Sequence, residues 1–358
     1  MLSYFLNKTL YALLTLFGVV TVIFFLFNIL PGDPAQMMLG QNEDSEQLAI
    51  VKKKYGFDKS IGKQYLYYLN DLSPISFHSN TKEDYTYLTE NKYTASKLFT
   101  IGNTSTLLKL PYLRESFTKQ GKKVSTVLAE TLPNTFVLAI SAIGIALLLG
   151  VGLGVVSALK KDTFLDKAIQ ILSTIGMSIP SFFSAILFAW FFGFVLHKYT
   201  NLEMTGSLYE LDDFGENVNI KWKNLILPAL VLGIRPLAVV IQLMRNSLLE
   251  VFNQDYIRTA RAKGLSEFQI IKKHAIKNAL NPVVTAISGW FASMLAGAVF
   301  VEYIFGWNGL GKEIVNALNT LDLPVIMGSV LIIALLFIII NIFVDIIYAW
   351  LDPKVTLE

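Results

Sequence analysis

The chain has 358 residues, 53% of them hydrophobic and only 16% charged. Soluble domains carry about 25% charged residues, so this chain lacks the polar surface to cover a soluble fold. Lys and Arg number 30 against 27 Asp and Glu, a net +3 that gives no case for nucleic-acid binding, and the absence of cysteine removes disulfides, thiolate metal sites and cysteine nucleophiles.

The gaps between charges set the class. Six apolar stretches follow one another: Thr9–Gly32, Thr131–Leu159, Ala168–His197, Asn224–Met244 (broken only by Arg235), Asn278–Val301 and Leu323–Val344. A membrane-spanning helix needs about 20 mostly apolar residues, because backbone polar groups in hydrocarbon must be satisfied within the segment. The expected fold is therefore all-α, a polytopic membrane protein with six transmembrane helices. The first stretch reads as a retained anchor, since Leu30-Pro-Gly-Asp-Pro34 offers no small-x-small cleavage site. The expected organisation is an N-terminal helix over 1–32, an outside region over 33–130, a five-helix core over 131–350 with a cytoplasmic loop over 250–282, and a tail over 351–358.

Lys and Arg in short loops set orientation. With the N-terminus inside, Lys8, Lys160, Lys161, Lys167, the seven basic residues from Arg245 to Lys277, and Lys354 lie in the cytoplasm. The short outside loops hold only Lys198, Lys221, Lys223 and Lys312. Both termini are expected inside.

In the outside region, Asp44-Ser45 before Glu46–Tyr55 reads as a capped helix, and Gln64–Leu69 as a second helix on the membrane surface. Ser73–Lys123 shows no sustained period and reads as a small, partly ordered cap. Asn103-Thr-Ser105 matches a glycosylation acceptor, a motif frequent by chance.

The informative stretch runs from Arg245 to Pro282. Asp255 to Lys263 predicts a short helix with acid at its start and bases at its end. Gly264 stops it, and Ser266-Glu-Phe-Gln caps a new helix through Ile270, Ile271, His274 and Ile276. Pro282 is expected to start the return into the membrane. Small residues (Ala260, Ala262, Gly264) let a partner surface approach, and Arg258, Arg261 and Lys263 favour an acidic or polar groove; attraction to anionic lipid explains the same basic residues.

Among the spans, Arg235 beside Pro236 is the candidate for a translocation route, because a charge at such depth usually faces a protein interior or watery cavity. Asp345 reads as the structural partner of a basic residue. Gly144, Gly150, Gly152 and Gly154 permit close helix packing, and Pro180, Pro228 and Pro236 mark kinks. The histidines His78, His197 and His274 are scattered, so no metal ligand and no catalytic residue is assigned.

DYIRTARAKGL…HAIKNALNPVVT, beginning at Asp255, resembles the coupling-loop signature, the EAA motif, of ABC importer permeases of the peptide/nickel family. In the resemblance Ala260 takes the small position, Gly264 the glycine and Pro282 the terminal proline; Arg258-Thr259 stands where the general motif has its glutamate, as in the peptide branch. Leu30–Pro34, Tyr55–Lys59 with Gln64-Tyr-Leu66, Glu302–Gly311 and Asn341–Asp345 with Asp352-Pro353 are similar to further motifs of that family, most of all its first permease subunit. The chief departure is the insertion over Ser73–Lys123. What the resemblance implies is a type I importer permease fold that translocates peptides, with nickel or a metal chelate as the alternative cargo. It further implies a second homologous permease, two ATPase subunits holding ATP and Mg²⁺, an extracellular solute-binding protein and a lipid environment in the bacterial cytoplasmic membrane. The chain has no GxxxxGK[ST] phosphate loop and is expected to bind no cofactor and catalyse no reaction itself. An ion-coupled secondary carrier would show more buried acids and an inverted repeat, and a membrane hydrolase would need a nucleophile–base pair; neither is evident.

Overall fold

The computed structural model describes residues 2–29, 35–36, 45–82, 84–88, 93, 95–119, 121–212 and 214–351. The Leu30–Pro34 motif, the Asp44 cap and the Asp352-Pro353 ending lie outside the described residues. Among the described residues, four helices are long and apolar enough to cross a membrane: α1 (Leu2–Ile29), α4 (Val124–Leu159), α8 (Lys223–Val251) and α14 (Leu323–Leu351). The other two expected spans are bent pairs. The helix α5 (Phe164–Ser178) turns by 108° into α6 (Ser181–Phe188), which continues as a π-helix over Ala189–Val195. The short α10 (Glu267–Ile270), a π-helix over Ile271–Ala275 and α11 (Ile276–Gly297) together bend by 59° into α12 (Val299–Phe305). The remaining helices are α2 (Ser45–Tyr55), α3 (Ile61–Leu72), α7 (His197–Thr200), α9 (Asp255–Ala262) and α13 (Leu310–Asn319).

The break at Ile179-Pro180 has a local cause. A residue before proline is pushed out of the helical region, and Ile179 takes φ −78°, ψ 131°. Pro228 and Pro236, by contrast, lie inside a continuous α8, and Pro282 lies inside α11. Pro282 therefore does not begin the returning helix, which starts at Ile276.

The chain divides into two compact units, one from Met1–Thr9, Thr131–Val315 and Ile333–Glu358, the other from Leu10–Glu130 and Asn316–Ile332. In the first, α8 is the central strut. Its Leu227, Val231 and Leu232 join Leu138 and Ala142 of α4, Ala185 of α6, and Phe305 and Trp307 in one core. A second core gathers its Val240, Met244 and Leu248 with Ala158, Ile257, Ala260, Ile270 and Ala279. The four glycines of α4 split by face. A Cβ on Gly150 would stand 2.6 Å from Val240, and one on Gly154 2.7 Å from Met244, whereas Gly144 and Gly152 face open space. Of these four glycines, only the i, i+4 pair Gly150 and Gly154 meets α8.

The Glu302–Gly311 stretch wraps a buried carboxylate in this same unit. Gly311 N–H donates to Glu302 Oε2 at 2.6 Å, Trp307 Nε1 donates to the Asn134 carbonyl at 3.0 Å, and Leu310 N–H to Thr135 Oγ1 at 2.8 Å. A Cβ on Gly309 would sit 2.4 Å from the Glu302 carboxylate, so a side chain there would displace that carboxylate. Lys8 of α1 forms an ion pair with Asp345 of α14, the structural role expected for that acid.

The fold is mostly helical, as expected, but the second unit departs from an all-α one by carrying strands. It contains an antiparallel sheet of β1 (Ile75–Ser79), β2 (Ala95–Ile101) and β3 (Thr104–Lys109) in the order β1-β3-β2, and a two-stranded sheet, β4 (Tyr209–Leu211) with β5 (Val218–Ile220), lies in the first unit. Gly102-Asn103 joins β2 to β3, with Gly102 at φ +56° supplying the left-handed backbone that two-residue hairpin loops use. Within the segment expected to be a partly ordered cap, β1, β2 and β3 therefore form a sheet. Its anchor is Asp71, 1% exposed, whose carboxylate accepts from Arg114 Nε at 3.0 Å, Tyr85 at 2.9 Å and Tyr93 at 3.1 Å. Ser116, Phe117 and Thr118 grip the Asp322 carboxylate just before α14. Helix α3 packs Tyr68 against Val20, Ile23 and Phe24 of α1 and Met327 of α14, so its apolar face meets protein.

Replacing Gly154 by Leu forces α4 off α8 and lowers stability by about 1–3 kcal/mol or more, while Gly152→Leu is tolerated; thermal unfolding of the two variants in detergent separates them. Burial pushes the Tyr68 phenol up to about 12 and also raises Tyr85, Tyr93 and Tyr112. Stability from these neutral phenols is complete below the ordinary tyrosine value of about 10 and is lost as pH rises through about 12. Lys109, lowered by burial, acts in the opposite sense but stands alone against four phenols. Loss of strand circular dichroism should track late tyrosinate absorbance; early ionisation with the sheet intact would contradict this packing.

Candidate functional site

The predicted residues fall at two places in the first unit. The first is a hairpin built by α9, Gly264 and α10. Leu265 N–H reaches the Ala260 carbonyl at 3.3 Å and Gly264 N–H the Arg261 carbonyl at 2.9 Å, the paired bonds of a Schellman C-cap, with Gly264 at φ +79°. No atom lies within 4 Å of where its Cβ would be, so the glycine is required by backbone conformation and leaves an open surface. Ser266 then caps α10 reciprocally with Gln269. Asn278 Nδ2 donates to Tyr256 Oη at 2.9 Å, tying α9 to α11.

The hairpin has one face inside and one outside. Ile257 and Ile270 are fully buried, and Ala260 is 6% exposed. Asp255, Arg258, Arg261, Ala262, Lys263 and Gly264 are exposed. Ala260 thus corrects the sequence reading: it is a core residue beneath the hairpin, and only Ala262 and Gly264 offer close approach. The basic character is also reduced, because Arg261 pairs with Glu267 at 2.7 Å and Arg258 with Asp255 at 3.4 Å. Exposed pairs of this kind contribute about 0–1 kcal/mol, enough to neutralise local charge without rigidifying the hairpin. Pro282 stands apart from it, exposed on α11. Phe268, 72% exposed at the tip of the hairpin, escaped the sequence reading; its signal was an aromatic set between Glu267 and Gln269.

The second place is a small open cleft, with a volume of about 80 Å³, where the α5–α6 break faces α8 and α11. Arg235 lines it together with Ile179, Ser181, Ser184, Trp290 and Ser293. Arg235 is exposed, whereas Pro236 is buried in the packing of α8. The two residues predicted as one feature therefore do different things: one faces the cleft, the other the core. Ten residues on, Arg245, also unassigned from sequence, makes a two-point contact with Asp166 of α5, Nε to Oδ1 at 2.8 Å and Nη2 to Oδ2 at 2.7 Å. Ser157 Oγ of α4 and the Asp162 N–H complete the shell around that carboxylate. Among the described residues no group of three His, Asp or Glu side chains could hold a metal ion.

Comparison with known proteins places these features. Residues 150–357 match the family described as binding-protein-dependent transport system inner membrane component, and residues 1–79 match its N-terminal counterpart. The dipeptide transport system permease protein DppB of Alkalihalophilus pseudofirmus is 32% identical, covering 99% of both chains. That of Bacillus subtilis is 32% identical over 96% of this chain and 94% of its own. The di/tripeptide transport system permease protein DppB of Pseudomonas aeruginosa is 31% identical over 99% of both. Among solved structures, the MetNI methionine ABC transporter in inward-facing conformations shares the fold, with a TM-score of 0.50 at 16% identity over 63% of this chain and 97% of that one. The chain belongs to the binding-protein-dependent transport system inner membrane components, the permease subunits of ABC importers.

Proposed function

We propose that this chain is the first of two permease subunits of an ATP-driven importer that carries peptides across the bacterial cytoplasmic membrane. The cargo reading rests on the DppB relatives, which match along nearly the whole chain. The assembly contains a second homologous permease, two ATPase subunits that bind ATP and Mg²⁺, and a solute-binding protein outside. Both termini and the 250–282 loop face the cytoplasm, and the 33–130 region faces the binding protein.

The observation that carries the coupling reading is the two-faced hairpin. Its inner face is locked into the core of α8 and α4 by Ile257, Ala260 and Ile270, while Ala262, Gly264 and Phe268 are bare. Asp255, Arg258 and Arg261 frame this bare surface, and Pro282 belongs to the helix that receives its motion. A partner pushing on the bare face moves a body fixed to α8, and α8 carries Arg235 beside the cleft. ATP-driven closure of the two ATPases thereby biases the helices between two states, by differential affinity alone. Arg235 lines the translocation route; Pro236 holds it there from the packed side of α8.

Two substitutions two residues apart, on opposite faces of α9, separate docking from folding. Ala262→Leu obstructs the outer face, leaves the thermal transition unchanged and lowers peptide-stimulated ATP hydrolysis by the assembled transporter at least about tenfold, a loss of about 1.4 kcal/mol of coupling. Ala260→Leu overpacks the core and destabilises by about 1–3 kcal/mol. Normal hydrolysis and uptake in the Ala262→Leu transporter would refute the docking surface. Uptake that continued without ATP and collapsed with the proton gradient would favour an ion-coupled carrier instead.

A further inference from the structure

The two arginines of α8 are treated in opposite ways. Arg245 is given a carboxylate, buried and doubly bonded. Arg235, about 18 Å into the helix at 1.5 Å per residue, has no hydrogen-bond or ion-pair partner among the described residues. The cleft that it lines contains no acidic side chain; its polar lining is Ser181, Ser184, Ser293 and the Trp290 indole, each able to donate a hydrogen bond. A guanidinium does not deprotonate in proteins, and a cation within a membrane helix is disfavoured unless water or an anion meets it. One cation, several hydrogen-bond donors and no internal carboxylate describe a site suited to an anion that arrives from elsewhere.

We propose that this cleft recognises a carboxylate of the cargo, with the Arg235 guanidinium as the charged ligand and the serine hydroxyls completing the shell. The inference rests on the reading of the chain as a peptide-conducting permease and adds to it a specificity element. A peptide in transit always carries a terminal carboxylate, whatever its side chains, so a single arginine serves many sequences. Guanidinium and carboxylate meet through two parallel hydrogen bonds, which makes lysine an imperfect and glutamine a failed substitute.

The absence of cysteine provides the test. Ser293, exposed in the cleft, is replaced by Cys in the complete transporter, and labelling of this subunit is timed with anionic 2-sulfonatoethyl and cationic 2-trimethylammonioethyl methanethiosulfonate. Relative to free cysteine, the anionic reagent should be favoured roughly fivefold, the factor for one unit charge at close range in water. Arg235→Lys should keep that preference and Arg235→Gln abolish it, in complexes shown to be assembled by co-purification of every subunit. Trialanine should slow labelling, and trialanine amide should not. Equal protection by acid and amide would leave the route in place and overturn carboxylate recognition. No protection by either, with normal uptake by the Arg235→Gln transporter, would remove the cleft from the route and overturn carboxylate recognition while leaving peptide transport by the chain intact. Absence of any charge preference in the unsubstituted cleft would mean that Arg235 is neutralised by a carboxylate of another subunit, which also overturns the inference.

Discussion

The Asp166–Arg245 pair is the contact on which the helix arrangement depends. Its two side chains are 3% and 18% exposed, and the carboxylate also accepts from Ser157 Oγ and the Asp162 N–H. Three helices, α4, α5 and α8, are thereby pinned at one point. A buried pair adds little net stability compared with a well-packed apolar alternative, but losing one partner costs about 3–5 kcal/mol because the other charge is stranded. Its value is therefore geometric. With α5 pinned and α4 brought close through Gly150 and Gly154, α8 becomes a rigid strut with the cleft midway along it and the hairpin at its end.

Much of this was legible in the sequence, and the limits were physical. Apolar runs located every long helix, yet they underestimated its length: α4 starts at Val124, seven residues before the uncharged run begins, because Glu130 ends the run without ending the helix. Charge marks where a helix leaves hydrocarbon, whereas hydrogen bonding continues beyond it. The three-stranded sheet was missed for a different reason. β2 is exposed along its whole length, so it lacks the alternation that identifies a half-buried strand. The usable signal was local, Gly102-Asn103 as a hairpin turn; in Ile75–Ser79 the apolar Ile75 and Phe77 are exposed and Ser76 and His78 are buried, so alternation there points to the wrong face.

The hairpin shows a finer limit. Gly264 and the Ser266–Gln269 capping box are signals of identity and spacing, and both are realised as read. Which small residue faces outward is a question of helical phase, and in the eight residues of α9 composition alone does not settle it. Phase was nevertheless present in Ile257, since a residue three positions on shares its face, which puts Ala260 inside and Ala262 out. The role of Arg235 could be approached from sequence only as a charge at depth. That Arg245 would find Asp166 and Arg235 would find nothing required the path of α5, seventy-nine residues back in the chain.

Helix breaks and unpaired charges obey one rule inside a membrane. Irregular backbone is tolerated at that depth only where protein buries it or water reaches it, and an ionised side chain has the same two options. Pro228 and Pro236 take the first: both are buried, and α8 runs on through them. Pro180 takes the second, because Ile179 and Ser181 on either side of it line an open cleft. Arg235 lines that same cleft. A break that exposes backbone groups and a cation without an internal partner are each unfavourable facing lipid, and placing them together lets one hydrated space satisfy both. The open cleft and the arginine exposed in it are then one consequence of where α5 stops.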